Sequence, residues 1–149
     1  AASILVNGPA RVSDYREITT HDGTVEAARR AYEAAGVGPK DIDVAELHDC
    51  FSIAEIVDAE DLGFFPKGEG GRRLMELDRQ NKLVINPSGG LLSKGHPTGA
   101  TGCGQIYEII QQLRGYHPNQ VSGARLGLTH NGGGTAAAVT VHILEAQSR

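Results

Sequence analysis

The sequence predicts an α/β fold in which a mostly parallel mixed sheet is covered by helices. Short apolar runs typical of strands alternate along the chain with stretches whose apolar residues recur at helical spacing. The segments that join the strand-like runs are long enough for helical crossovers, which parallel pairing requires. The chain also carries 20 glycines, and their main clusters predict turns and places where the backbone approaches a ligand closely.

Each element of this fold is justified by its own pattern. Apolar runs bounded by turn residues predict strands at residues 4–6, 42–47, 83–85, 124–129 and 135–144. Apolar positions at helical spacing predict helices over residues 25–35, 51–62 and 100–113. Residues 67–82 are rich in glycine and then in charge, which predicts a surface excursion with a short helix near residues 74–77.

Two of these helices carry more detailed expectations. Thr24 is a suitable N-cap for the first helix, and Gly36 is placed to end it. In the helix over residues 100–113 the residues expected to face inward are Ile106, Ile109, Ile110 and Leu113.

Length and composition indicate one domain over residues 1–149, with the 40% apolar and 21% charged content of an ordinary globular protein. The net charge of −4 argues against a nucleic-acid partner, because phosphate binding usually needs a basic face. Cys50 and Cys103 form no CxxC pair, which favours a reduced, cytoplasmic compartment. No apolar run approaches the ~20 residues of a membrane span.

The run NPSGGLLSKGHPTGATG at residues 86–102 places one histidine among glycines and prolines, just before a predicted helix. Held in this way, His96 is a candidate general base that promotes thiolate formation, or a donor to a developing oxyanion. The alternative is a loop histidine that satisfies backbone groups. His48 and His130 also follow predicted strands, so the topology predicts that the three segments could converge at the carboxyl ends of neighbouring strands.

The two cysteines are interpreted differently. Cys50 follows a strand near His48, and such a cysteine can exchange a proton near neutral pH, although a small buried apolar residue is the alternative. Cys103 lies between two glycines inside a predicted helix, where close helix packing is expected.

His130 precedes three glycines, which is compatible with backbone donors that meet a ligand or with an incidental histidine at a hairpin turn. His48, His96 and His130 could also form a zinc triad, but no metal-ligand spacing such as HxxxH or CxxC supports one.

These residues together resemble a known family. Residues 86–102 are similar to the GHPxGATG block of thiolases. His48-Asp49-Cys50-Phe51 resembles the HDCF block of the sterol-carrier-protein type of thiolase, where other thiolases carry NEAF. The sequence HNGGG at residues 130–134 occupies the place of a CxGGG block. The resemblance extends over about residues 4–144 in the family's order, and it implies a thiolase-like half-domain.

The resemblance implies roles for the individual residues. His96 would activate a nucleophilic cysteine and donate to the thioester oxyanion, and His48 would help to hold a water or donor at the other oxyanion site. His130 replaces the cysteine that serves other thiolases as the second acid/base. In the sterol-carrier type that proton transfer belongs to the cysteine of HDCF, so it passes to Cys50. Gly95, His130 and Gly132 are assigned to substrate binding.

The resemblance covers only the C-terminal half of a thiolase, and the nucleophilic cysteine of the family lies in the N-terminal half. It therefore implies an acyltransferase that is incomplete alone and needs the N-terminal half, in the same chain or as a separate subunit. The reaction would be thiolytic cleavage of a 3-oxoacyl-CoA or the reverse Claisen condensation. Acyl-CoA is then the substrate, no metal or further cofactor is implied, and a homo-oligomer is expected.

Two other functions stay open. One is a thiolase-like aldolase subunit that acts on a steroid or other acyl-CoA with a partner protein; His48 and Cys50 together favour Claisen chemistry over it. The other is a non-catalytic lipid or acyl-CoA binding module, which the absent nucleophile favours and the intact reactive blocks disfavour.

Overall fold

The computed structural model describes residues 2–7, 19–77, 82–134 and 137–147, the first of these segments by its backbone alone. Its elements in chain order are β1 (Ala2–Asn7), α1 (Asp22–Ala35), a 3-10 turn (Pro39–Asp41), β2 (Val44–Glu46), α2 (Ser52–Asp61), α3 (Gly70–Glu76), β3 (Val84–Ile85), α4 (Gly90–Lys94), α5 (Thr101–Arg114), β4 (Leu126–Gly133) and β5 (Ala138–Glu145). Residues 135–136, expected to open the last strand, lie outside the described residues.

Within the described residues the strands form one five-stranded mixed sheet in the order β1-β5-β4-β2-β3. β2 is parallel to both of its neighbours, and Val44 opposes Gly127 of β4 on one side and Val84 of β3 on the other. β5 pairs antiparallel with β4 and with β1. The predicted α/β fold with a mixed sheet covered by helices is confirmed, and β2, β3 and β4 all end at the same edge.

Helices cover both faces of the sheet, and each face has its own apolar core. One core joins α1 and α2 to the sheet through Ala27, Ala28, Ala31, Ala45, Leu47, Ala59, Leu62, Leu128, Val139, Val141 and Ile143. The other joins α5 to the sheet through Val44, Val84, Ile109 and Val121. Side chains alternate between the faces along a strand, so Val44 and Ala45 belong to different cores.

A close contact brings α5 onto β4. A Cβ at Gly127 would lie 2.4 Å from Cγ2 of Ile109, so the glycine allows the helix to lie close to the strand. No helix in the described part of the chain is long and apolar enough to cross a membrane.

Two local predictions, the cap of α1 and the start of α3, are wrong. α1 begins at Asp22 after an extended His21, and Thr24 is buried with its hydroxyl 3.0 Å from Nε2 of His130. A tertiary hydrogen bond thus replaces the expected local cap. The short helix after α2 begins at Gly70, earlier than expected. A Cβ at Gly70 would lie within 3 Å of the Glu60 side chain, whose carboxylate accepts from the amides of Gly68 and Gly70.

The inner face of α5 agrees with the prediction only in part, since Ile109 is fully buried and Leu113 packs against the same core. The buried residues of α5 are Thr101, Gln105, Ile109 and Gln112, whereas Ile106 and Ile110 are only half-buried. The amides of both glutamines donate to main-chain carbonyl oxygens. Polar side chains are therefore buried on this face beside apolar ones, because buried carbonyl oxygens of the backbone need hydrogen-bond donors.

We predict opposite pH dependences for His21 and His142. The hydrogen bond from His21 to Asp58, against the opposing effect of burial, raises the pKa of His21, and burial lowers the pKa of His142. His21 therefore stabilises the fold below its unfolded pKa of about 6.5, and this contribution is lost as pH rises through the raised folded pKa. His142 instead destabilises the fold as pH falls below about 6.5, because the unfolded chain then takes up a proton that the buried ring does not accept.

Urea unfolding of His21→Gln and His142→Gln at several pH values measures this contrast. The deficit of His21→Gln, on the order of 0.5–1 kcal/mol for a half-exposed ion pair, should be largest at acidic pH and fade at alkaline pH. The deficit of His142→Gln should shrink at acidic pH. Parallel pH profiles for the two variants would contradict the assignment.

Candidate active site

Two histidines meet where β2 ends. His48 follows β2 closely, and His96 follows α4 in the glycine-rich loop. Their rings lie edge to face, with centroids 4.8 Å apart and an interplanar angle of 85°. The structure therefore brings together two histidines that are 48 positions apart in the sequence, as the parallel topology predicted.

Asn86, at the end of β3, ties the neighbouring strands together at this edge. Its Oδ1 accepts from the amide of Leu47 at 2.7 Å, and its Nδ2 donates to Glu55 of α2 at 2.8 Å. Its backbone has φ +47°, a region that asparagine tolerates better than most residues. The first residue of the 86–102 run thus serves to hold the strand ends.

Asp49 holds the short helix that leads to His96. Its Oδ1 accepts from the amide of Leu91 at 2.7 Å and its Oδ2 from the amide of Leu92 at 3.4 Å. A Cβ on Gly90 would lie 2.0 Å from Oδ2 of Asp49. The carboxylate therefore fits against a bare backbone at the start of α4, which fixes the segment before His96 relative to His48.

His96 is exposed and is oriented by Thr101. Gly95 leaves α4 at φ +93°, a conformation that glycine adopts without strain. Nδ1 of His96 lies 2.7 Å from Oγ1 of Thr101, whose hydroxyl donates to the carbonyl oxygen of Pro97 at 3.1 Å. Because that hydroxyl proton is directed at Pro97, Nδ1–H of His96 is the donor, and Nε2 of the neutral ring carries a lone pair.

His48 has the opposite arrangement. Burial, and repulsion from His130 and His96 in their protonated forms, lower its pKa to about 4, so the ring is neutral at physiological pH. Nδ2 of Asn131 lies 3.1 Å from Nδ1 of His48, and an amide nitrogen can only donate. Nε2 of His48 therefore carries the proton, and the pair combines one N–H donor with one basic lone pair.

The cysteines are placed differently from each other. Cys50 is half-buried just before α2, and burial, followed by the charge of Asp58, raises the pKa of its thiol. It is accordingly a protonated thiol at neutral pH. Cys103 is exposed on α5, so the prediction that it packs closely within the chain is wrong.

His130 is 2% exposed in β4. Its Nε2 contacts the hydroxyl of Thr24, and its Nδ1 lies 3.8 Å from Asp58. Side chains alternate along a strand, so its imidazole and the Asn131 side chain leave β4 on opposite faces. A Cβ on Gly132 would lie 3.9 Å from Cδ2 of His48. The HNGGG segment thus meets the histidine pair through Asn131 and Gly132.

One group of potential metal ligands lies away from this pair. Among the described residues His21, Asp58 and Asp61 have ligand atoms within 4.8 Å of one another. The ammonium group of Lys67 contacts the carboxylate of Asp61, so a cation of the protein itself is already present in this cluster. His48, His96 and His130 do not form such a group.

Sequence reasoning missed the residues that orient the histidines, namely Asp49, Thr101, Gln105 and Asn131. Asp49 and Asn131 stand inside the recognised motifs, but the sequence does not show that Asp49 binds the amides of Leu91 and Leu92, because these lie more than forty residues further along the chain. Gln105 left no signal, because a glutamine inside an apolar helical pattern usually faces solvent.

Comparison with known proteins agrees with this geometry. The family described as "Thiolase C-terminal domain-like" matches residues 8–146. The chain belongs to this family. It is a thiolase C-terminal domain, and the resemblance to thiolases in the motif sequences is confirmed.

Three similar proteins illustrate the range of the family. An acetyl-CoA acetyltransferase of Methanothermobacter thermautotrophicus is 50% identical over 95% of this chain, and the match covers 38% of that protein. Sterol carrier protein 2 of Rattus norvegicus is 52% identical over 82% of this chain and 23% of that protein. The solved Ltp2-ChsH2(DUF35) aldolase superposes with a TM-score of 0.82 at 25% identity, over 97% of this chain and 38% of that one. The domain thus spans well under half of the proteins it matches.

We predict that Gly90→Ala destabilises the domain and weakens the contact that positions the segment before His96. The new Cβ would collide with the Asp49 carboxylate, and the backbone at φ +63° is strained for alanine. Such backbone strain alone costs roughly 1–3 kcal/mol. Urea unfolding measures the loss.

Gly104→Ala is the matched control, because a Cβ there meets nothing within 4 Å and the residue lies inside α5. It should be neutral or stabilise by up to about 1 kcal/mol. Equal stabilities of the two variants would show that Asp49 does not need the bare backbone at Gly90.

Proposed function

We propose that this domain supplies the acid–base and oxyanion-binding groups of a coenzyme A-dependent thiolase. The observation that carries the proposal is the edge-to-face pair of His48 and His96, which presents one N–H donor beside one basic nitrogen. The nucleophilic cysteine comes from an N-terminal half, in the same polypeptide or in a separate subunit. The substrate is an acyl-CoA thioester, and no metal takes part.

In this proposal His96 activates the nucleophile. Nε2 of His96 takes the proton of the incoming thiol, and the thiolate attacks C3 of a 3-oxoacyl-CoA. The protonated Nε2 then becomes a donor to the oxyanion, in the manner of preorganised donors elsewhere. The exposed position of His96 supports this role, because the partner's cysteine must reach it.

His48 stabilises charge on oxygen and does not itself titrate. Its low pKa, about 4, keeps it a neutral donor through Nε2–H. A neutral donor can stabilise a thioester enolate without transferring its own proton to it. This supports the division of labour in which His48 binds oxygen and another group moves the proton.

We assign that proton transfer to Cys50. When the C2–C3 bond breaks, its electron pair moves to C2, and the thiol of Cys50 protonates the resulting acetyl-CoA enolate. Protonated His96 returns its proton to the Cys50 thiolate, which restores both groups. Neutral His96 then takes the proton of the coenzyme A thiol, the resulting thiolate attacks the acyl-enzyme, and the nucleophilic cysteine leaves as a thiolate that recovers the proton from His96 as the shortened acyl-CoA is released. The raised pKa of Cys50 supports a proton donor rather than a nucleophile, because the thiolate is the nucleophilic form.

Substrate binding is proposed for Gly95, His130 and Gly132. Gly95 has open space where a side chain would stand, and the backbone of Gly132 lies beside His48, so both can accept a thioester against the main chain. His130 would contribute through its main chain, since its imidazole is hydrogen-bonded to Thr24 on the face of the sheet that α1 covers.

The N-terminal half is proposed to cover the rim of the site. Phe51 is 71% exposed and Ile53 63% exposed at the start of α2, and Leu92 is exposed on α4. These exposed apolar side chains stand on the two segments that carry His48 and His96, as expected of a surface that another domain covers. A homo-oligomer and a cytoplasmic location remain predictions of the sequence; the two free cysteines support the latter.

An aldolase subunit is the second candidate, and the superposition on the Ltp2-ChsH2(DUF35) aldolase favours it. Aldol cleavage needs no acyl-enzyme, whereas a thiolase forms one. Presence or absence of a covalent acyl adduct therefore separates the two functions.

We predict that Cys50→Ala blocks condensation while it spares acylation. The domain is assembled with an N-terminal thiolase half, acetyl-enzyme formation from acetyl-CoA is followed by mass spectrometry, and acetoacetyl-CoA formation and thiolysis are followed by absorbance. Loss of one acid–base group should lower turnover by ~10²–10⁴-fold. Acetylation of the nucleophile by acetyl-CoA should persist, because it needs His96 and not Cys50.

Cys103→Ser is the matched thiol control and should turn over normally. Normal turnover by Cys50→Ala would contradict the assignment of Cys50. Cleavage of a β-hydroxyacyl-CoA with no acyl adduct would favour the aldolase, and no turnover in any assembly would favour a binding module.

A further inference from the structure

We propose that Gln105 and Asn131 are positioning residues that hold the imidazole of His48 with its proton on Nε2. The catalytic meaning of this proton rests on the proposed function, but its placement follows from hydrogen bonds within the domain. The chain of contacts runs from two main-chain carbonyls through two side-chain amides to one ring nitrogen.

The first link is the anchoring of Gln105. It is fully buried in α5, and its Nε2 lies 2.9 Å from the carbonyl oxygen of His130 and 3.4 Å from that of Glu46. Carbonyl oxygens only accept, so the amide nitrogen and not the amide oxygen must face them. Glu46 and His130 lie in the paired strands β2 and β4, so the orientation of Gln105 is set by the sheet itself.

The second link is Asn131. With its nitrogen turned to the carbonyls, Gln105 presents Oε1 to Asn131, and Nδ2 of Asn131 donates to it at 3.0 Å. This fixes which end of the Asn131 amide carries the hydrogens. The second N–H of the same Nδ2 is then directed at Nδ1 of His48, 3.1 Å away.

The third link is the tautomer. Nδ1 of His48 can accept this hydrogen bond only with a lone pair, so a neutral ring must carry its proton on Nε2. Asn131 itself is held by the approach of α5, where a Cβ on Gly102 would lie 3.6 Å from its Cγ. The main-chain geometry of two strands thus decides which nitrogen of His48 donates.

The test uses ¹⁵N-histidine incorporated in this chain alone, assembled with an unlabelled N-terminal thiolase half. Two-bond ¹H–¹⁵N spectra show which ring nitrogen carries the proton. Wild-type His48 should give a protonated Nε2 and an unprotonated Nδ1. In Asn131→Asp a carboxylate oxygen replaces the donor, so the proton should move to Nδ1.

Two further variants keep the test decisive if Asn131→Asp fails to fold. Gln105→Met frees the Asn131 amide to rotate, and His48 should become a mixture of both tautomers. Gln112→Met is the matched control, because Gln112 is equally buried on the same helix but is bonded to Asn119 and Val121. It should lose comparable stability and leave His48 unchanged. Unaltered His48 spectra in Gln105→Met, or equal changes in both methionine variants, would overturn the proposal.

Turnover separates this inference from the proposed function. If His48 donates to an oxyanion through Nε2, Asn131→Leu should lower kcat by ~10²–10³-fold with a smaller effect on KM. A changed tautomer with normal turnover would leave the positioning role standing and remove the catalytic role of His48. An unchanged tautomer overturns the positioning role whatever the turnover.

Discussion

Because β2 runs parallel to both β3 and β4, three separate chain segments leave the sheet at a single edge. His48 follows β2, Asn86 follows β3, and β4 carries Asn131 two residues before its carboxyl end. Parallel strands place their carboxyl ends side by side, which is why α/β proteins gather functional groups there. Without this pairing the segments that carry the histidines would not be held next to each other; the shared edge of the sheet is the frame of the site.

Buried polar side chains turn that frame into a defined geometry. Asp49 binds the amides at the start of α4, and Asn86 binds the amide of Leu47. Each of these contacts satisfies backbone donors that the loops would otherwise bury unpaired, at a cost of roughly 1–3 kcal/mol apiece. The hydrogen bonds that stabilise the loops are therefore the same ones that position His48 and His96.

The two faces of the sheet divide the polar chemistry. On the α5 face, the side-chain amide of Asn131 donates hydrogen bonds to Gln105 and to His48. On the α1 face, His130 lies against Thr24 and Asp58 beneath the site. Burial lowers the pKa of both His48 and His130, so the edge of the sheet holds neutral imidazoles, and their hydrogen bonds decide which nitrogen donates.

The sequence by itself indicated the thiolase family and most of the strands and helices in their order along the chain, and it predicted that the segments of His48 and His96 could converge. It did not predict α4 or the order of the strands in the sheet. Apolar periodicity and glycine-rich motifs are local signals, and parallel topology extends them to the carboxyl edge. Only the tertiary structure decided that the Thr24 hydroxyl contacts His130 and does not cap α1, that Cys103 is exposed to solvent and that Gln105 is buried against the sheet. The positions of Thr24 and Gln105 depend on which polar groups need hydrogen-bond partners once the sheet has formed, and the sequence pattern does not show this.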